Sequence, residues 1–172
     1  MHSSKIFLVG FMGSGKTHWA RLLSAKYQLS YADLDDVIEK EQDQKIATIF
    51  AEKGEAHFRK IEADTLRSFR KEQDCIIACG GGTPCYHENM EWMNANGITV
   101  YLKASPVLLA KRLIKEKTHR PVLMNIADDG LETFISDKLK EREAFYKQAA
   151  ITVDEESLTL QLLADTLFNT HS

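Results

Sequence analysis

The chain has 172 residues, 44% of them apolar, and a formal net charge of −3. That suits one domain spanning 1–172 with a core of its own. Acidic and basic residues are mixed along it, which argues against a nucleic-acid partner, and no apolar run approaches the roughly 18 residues of a membrane span.

Residues 6–9 are a short apolar run bounded by glycine, the pattern of a buried parallel strand. Over 16–26, Trp19, Leu22 and Leu23 recur at helical spacing. A second strand is predicted at 30–34. A helix begins over 46–50 and Gly54 ends it; another follows over 55–71, with Phe58, Ile61, Leu66 and Phe69 on one face. Residues 75–79 read as a third strand with a glycine run directly after it, and 98–102 as a fourth. Pro106 opens a helix to 114. Residues 115–130 are polar and irregular. A helix over 131–148, a strand over 150–153 and a helix over 158–168 complete the chain. Strands alternating with helices predict a parallel sheet covered on both faces. Cys75, Cys79 and Cys85 lack a further soft ligand at zinc spacing and are expected to be free, buried or partly buried thiols. The N-terminal apolar run is too short for a signal region and leads into a glycine loop, so a cytoplasmic protein is expected.

"GFMGSGKT", residues 10–17, matches G-x-x-x-x-G-K-[ST] between a predicted strand and a predicted helix. Gly10, Gly13 and Gly15 let backbone N–H groups turn toward phosphate oxygens, and the helix N-terminus favours an anion. Lys16 is placed to reach β- and γ-phosphates and Thr17 to bind Mg²⁺. A nucleoside triphosphate ligand follows; its acceptor does not.

"YADLDDVIE", residues 31–39, crowds three carboxylates into four positions. Residues two apart in an extended segment face one side, so Asp33 and Asp35 are expected to point into the crevice beyond the strand ends. Asp36 and Glu39 fit a capping box, which gives Asp36 the role of helix N-cap. Further on, Arg59 and Glu62 are spaced to pair on a helix. Gly80, Gly81 and Gly82 allow a sharp bend that presents bare N–H groups. Arg120 lies in the polar segment, where a lid is expected, and Arg142 on the following helix.

Taken in order, the phosphate loop, D-x-D, F-R-x-x-E, G-G-G, R-P and R-x-x-x-Y resemble shikimate kinase over about 150 residues. The resemblance implies an α/β, three-layer P-loop kinase fold: a five-stranded parallel sheet in the order 2-3-1-4-5, helices on both faces, a substrate-binding region near 33–62 and a mobile lid near 115–130. It implies transfer of the ATP γ-phosphoryl group to the 3-hydroxyl of shikimate, with Mg²⁺ as cofactor. Asp35 would bind the shikimate hydroxyls and act as base. Lys16 and Arg120 would complete the catalytic set. Arg59 and Arg142 would grip the substrate carboxylate, Glu62 would orient Arg59, and Gly81 with Gly82 would donate backbone hydrogen bonds. Gly13, Ser14, Gly15, Lys16, Thr17 and His18 would hold the ATP phosphates, Arg120 would join them, and Arg112 would lie against adenine. Thr17 and Asp33 would hold the metal.

Some positions depart from the family pattern. His18 stands where a second hydroxyl residue is common, and the acidic run 154–158 lacks the basic residue and proline found near adenine. A gluconate-type kinase shares fold and loop but has no need of the arginine and glycine motifs. A regulatory domain without catalysis should lack Asp35 or Arg120. The partners expected are shikimate and ATP, with no nucleic acid or membrane, for a monomer.

Overall fold

The computed structural model describes residues 5–117 and 121–168. Five parallel strands form its sheet: β1 (Ile6–Val9), β2 (Ser30–Asp33), β3 (Cys75–Ala78), β4 (Ile98–Lys103) and β5 (Ile151–Asp154), in the spatial order β2-β3-β1-β4-β5. This is the order that the resemblance implied. The apolar runs of β1 and β3 are buried along their whole length, as a sheet covered on both faces requires.

Side-chain alternation along β1 divides the core. Phe7 and Val9 face a layer made by α2 (Leu34–Gln42), α3 (Ile46–Ser68), α4 (Asn89–Asn96), α5 (Pro106–Glu116) and α7 (Leu131–Tyr146), with Leu123 of the short α6 (Pro121–Met124). Ile6 and Leu8 face the opposite layer, where α1 (Lys16–Tyr27) contributes Trp19, Ala20 and Leu23 and α8 (Leu160–Phe168) contributes Leu163, Ala164 and Leu167.

Local chemistry sets several boundaries. Ser105 caps α5, accepting from the Leu108 N–H at 3.2 Å, and Pro106 fills the first helical position. Gly54 is non-helical at φ 80°, ψ 169°, so it ends one helical stretch as predicted and a kink separates it from the next within α3. The helix over 89–96 was not expected from the sequence. Its start at Glu88 has φ 55° and no side-chain cap, and its asparagines are weak helix formers, so neither a start signal nor propensity marks it. Within the predicted irregular segment, α5 runs on to Glu116, α6 covers Pro121–Met124 and a helical turn covers Asp128–Gly130. Arg120 lies outside the described residues. Among the described residues, no helix is long and apolar enough to cross a membrane.

Candidate active site

The registers bring three loops to one edge of the sheet. β1 runs into the phosphate loop, its neighbour β3 into the glycine run, and β2 ends at Asp33 opposite Ala78. A cleft of about 770 Å³ opens there, lined among others by Lys16, Thr17, Asp33, Asp35, Gly81 and Arg112.

At the floor, Gly15 takes φ 85° and precedes α1 without a side-chain cap. A side chain disfavours that left-handed backbone, and an uncapped helix start leaves N–H groups directed at an incoming anion. Lys16 Nζ donates to the carbonyls of Gly10 and Phe11, each at 2.8 Å, which lays the ammonium across the loop. Ser14 is fully buried, and its hydroxyl has no hydrogen-bond partner among the described residues. His18 is exposed on the cleft wall, where its backbone rather than its ring belongs to the helix start.

The three carboxylates separate differently from the sequence expectation. β2 ends at Asp33, and it is Asp33 that caps α2: its Oδ1 accepts from the Asp35 N–H at 3.1 Å. Its Oδ2 accepts from Thr17 Oγ1 at 2.6 Å. Asp36 is therefore not the N-cap; it lies exposed in the first turn of α2. Nor does Glu39 close a capping box. It bonds Lys45 at 2.6 Å and accepts from the Ile46 N–H at 3.0 Å, serving the start of α3. A carboxylate in the extended position just before a helix is the better acceptor for orphan N–H groups, and Asp33 holds that position. Asp33 and Asp35 do both line the cleft. They reach it across a helix cap, not along an extended strand.

The Asp35 carboxyl is strongly perturbed. Burial, then the charges of Asp33 and Glu62, push its carboxyl from the usual 3.8 up to about 6, against an opposing pull from Lys16. Such a group exchanges a proton close to neutral pH.

Arg59 is held on several sides. Nη1 donates to Glu62 Oε2 at 2.9 Å, while Nε and Nη2 donate to Glu55 Oε1 at 3.2 and 3.1 Å. Its guanidinium carbon stands 4.2 Å from the centroid of the Tyr86 ring, and Tyr86 Oη donates to the same Glu55 oxygen at 3.1 Å. Glu62 accepts from Thr83 Oγ1 at 2.6 Å on its other oxygen.

The glycine run is shaped by these side chains. A Cβ on Gly82 would lie 2.5 Å from Arg59 Nη2. One on Gly80 would lie 3.1 Å from Glu62 Oε1 and 3.2 Å from Asp35 Oδ1, and one on Gly81 3.5 Å from Arg142 Nη1. The missing side chains are thus the space into which Asp35, Arg59 and Arg142 converge. Arg142 is half-buried, its guanidinium 5.6 Å from the centroid of the Phe11 ring.

On the far side of the phosphate loop, Arg112 Nη1 donates to Gly13 O at 3.1 Å and Nη2 pairs with Glu155.

Sequence reasoning missed three residues. Glu155 sat in a run read only as acidic, yet it is buried. Tyr146 closed the last motif without a role; it is fully buried and donates to Gly81 O at 2.6 Å, buttressing the glycine run. Burial pushes its phenol well above the ordinary tyrosine range. Thr83 carried no signal beyond its place after the glycines. The thiols behave as expected: Cys75 and Cys79 are buried and Cys85 half-buried, all free. His57 and His87 are exposed.

Comparison with known proteins places this arrangement. The family profile described as shikimate kinase matches residues 12–171. A shikimate kinase of Parabacteroides distasonis is 46% identical over 90% of this chain and 89% of its own length. That of Azobacteroides pseudotrichonymphae is 41% identical over 95% and 96%. The crystal structure of a shikimate kinase from Bacteroides thetaiotaomicron matches with a TM-score of 0.91 at 36% identity, covering 95% of this chain and 98% of that one. A shikimate kinase from Acinetobacter baumannii in complex with shikimate matches at 0.87 and 29%, covering 99% and 97%.

Proposed function

The chain belongs to the shikimate kinase family, and from that premise we propose how its residues divide the work of an ATP-dependent kinase acting on shikimate. The observation that carries the reading is the position of Asp35: it lines the cleft beside the phosphate loop, next to the glycine run on which Glu62, Arg59 and Arg142 close.

Arg59 and Arg142 bind the shikimate carboxylate by charge-assisted hydrogen bonds, with Glu62 fixing Arg59. Gly81 and Gly82 present backbone donors to the same substrate. Asp35 holds the ring hydroxyls and takes the proton of the 3-hydroxyl as that oxygen bonds to the γ-phosphorus. The bond from the γ-phosphorus to the β,γ-bridging oxygen breaks and ADP leaves. Lys16 and the N–H groups of residues 13–18 hold the phosphates, and Arg120, outside the described residues, joins them. Arg112 lies against the base.

The donors beside the phosphate loop fit Mg²⁺. Thr17 Oγ1 and Asp33 Oδ2, hard oxygens 2.6 Å apart, would hold it. Among the described residues no group of three or more acids, histidines or cysteines forms a closed cage. A metal that takes most of its ligands from phosphate and water needs none. When bound, it neutralises phosphate charge during transfer. The proposal extends to a monomeric enzyme in the cytoplasm.

A coupled assay of ADP release with shikimate, quinate and gluconate in parallel tests the reading. Turnover with shikimate and not with gluconate is expected. Equal turnover with gluconate, or none with shikimate, overturns it.

A further inference from the structure

On the Arg112 side of the cleft, four elements meet on one carboxylate. Glu155, in the turn after β5, is 7% exposed. Its oxygens lie 3.0 and 2.8 Å from Arg112 Nη2, and Oε1 accepts from the Trp19 indole N–H at 3.3 Å. Arg112 Nη1 reaches across to Gly13 O at 3.1 Å. A Cβ on Gly15 would stand 3.3 Å from Glu155 Oε1, so the carboxylate abuts the phosphate loop itself.

A buried carboxylate beside a triphosphate site repels its ligand and is costly to hold there unless a cation is fixed on it. Residues 154–158 bring no base of their own. Arg112, from α5, supplies the charge, and 35% of its side chain remains exposed while Nη1 and Nη2 are engaged. A guanidinium anchored through both nitrogens is held in one plane, and a planar guanidinium stacks on aromatic faces.

We propose that Glu155 is a positioning residue for the nucleobase. It pins Arg112 between the turn after β5 and Gly13, so that the guanidinium meets adenine already ordered. Through Trp19 and Gly15 it fixes that face relative to the phosphate loop. Without Glu155, Arg112 loses its rotamer freedom only on binding, and that entropy is taken from affinity. The inference rests on the reading of Arg112 as the base contact.

The test is calorimetric titration of ADP and of inorganic tripolyphosphate, which has no base, into the parent chain, Glu155→Gln, Arg112→Ala and the double variant. Each single variant is expected to weaken ADP roughly tenfold, as for a lost hydrogen bond to a charged group. The double variant should be no weaker than Arg112→Ala. In Glu155→Gln, tripolyphosphate should bind unchanged or tighter, and the ATP KM should rise while the shikimate KM stays constant. If Arg112→Ala leaves ADP affinity intact, the reading of Arg112 fails. If Arg112→Ala weakens ADP and Glu155→Gln does not, or if Glu155→Gln weakens tripolyphosphate as much as ADP, the inference fails. Should Glu155→Gln not fold, Arg112→Lys breaks the two-pronged anchor from the exposed side; it should show the same ADP-specific loss, and full ADP affinity in it overturns the inference.

Discussion

Glu62 lies one helical turn after Arg59 on α3 and holds its Nη1 at 2.9 Å, with only 1% of the glutamate and 8% of the arginine exposed. A pair this dry is costly to break, because that leaves the buried Arg59 with only the half-exposed Glu55 as counter-charge. Glu62→Gln keeps the shape and an acceptor for Thr83 but removes the charge. The expected result is a shikimate KM at least about tenfold higher with an ATP KM within a few-fold, and a stability loss on the order of 3 kcal/mol. Steady-state kinetics with both substrates and a urea midpoint check it. An unchanged shikimate KM would mean that Glu55 and Tyr86 suffice to place Arg59.

A second expectation concerns pH. The Asp35 carboxyl, raised to about 6, must be ionised to accept a proton, so kcat/KM for shikimate should fall about tenfold per unit below pH 6 and level off above it. Stability runs the other way. Between the unfolded value of 3.8 and about 6 the native state binds more protons than the unfolded one, so this group's contribution falls as pH rises through that window. Asp35→Asn should therefore be more stable than the parent above pH 6, by on the order of 1–3 kcal/mol, with no gain near pH 4 or below. Its kcat should drop by about 10²-fold or more. Urea midpoints at pH 4, 6 and 8 beside a pH–rate profile decide both; a gain at pH 4 would assign the effect to something other than ionisation.

Tyr146→Phe removes the hydroxyl that donates to Gly81 O. Leaving that carbonyl without its donor should cost about 1–3 kcal/mol. Because the lost bond holds the glycine run, the shikimate KM should rise several-fold while the ATP KM stays. Thermal unfolding and the two KM values measure it, and equal increases in both KM values would place Tyr146 in general packing instead.

The acids of the D-x-D stretch separate by substitution. Asp36→Ala, at an exposed helix position, should change stability by no more than about 0.5 kcal/mol. Asp33→Ala should lose about 1 kcal/mol through the cap, and activity through Thr17 and the metal. Asp33→Asn retains a good capping residue and should keep the stability while losing rate, which added Mg²⁺ partly restores. Full activity in both Asp33 variants would remove this residue from the metal site.

Most of the architecture was legible because it rests on short-range pattern. The buried runs of β1 and β3, the loop-to-helix step at Gly15 and the proline start of α5 all follow from local chemistry. The α4 helix was not legible, since an uncapped start and helix-averse asparagines leave nothing to read. The exchange of Asp36 for Asp33 as cap turned on a single residue of strand length. Glu155 and Tyr146 were hidden for another reason: their partners, Arg112, Trp19 and Gly81, are more than 40 residues away in sequence. Only the closed sheet brings them together.

Because β1 lies between β3 and β4, the phosphate loop divides the cleft into two territories built from separate stretches of chain. Asp35, Arg59 and the glycine run come from residues 33–82, on the β2–β3 side; Arg112 and Glu155 come from residues 112–155, on the β4–β5 side. Arg142 and Tyr146 cross, carried by α7 from the later stretch to Gly81. A change of phosphoryl acceptor could therefore be grafted into the first stretch with Asp33 retained and accompanying edits on α7, leaving the donor machinery untouched. The modularity is a property of strand order, and it makes chimaeras cut within the β3–β4 connection a rational route to new acceptors.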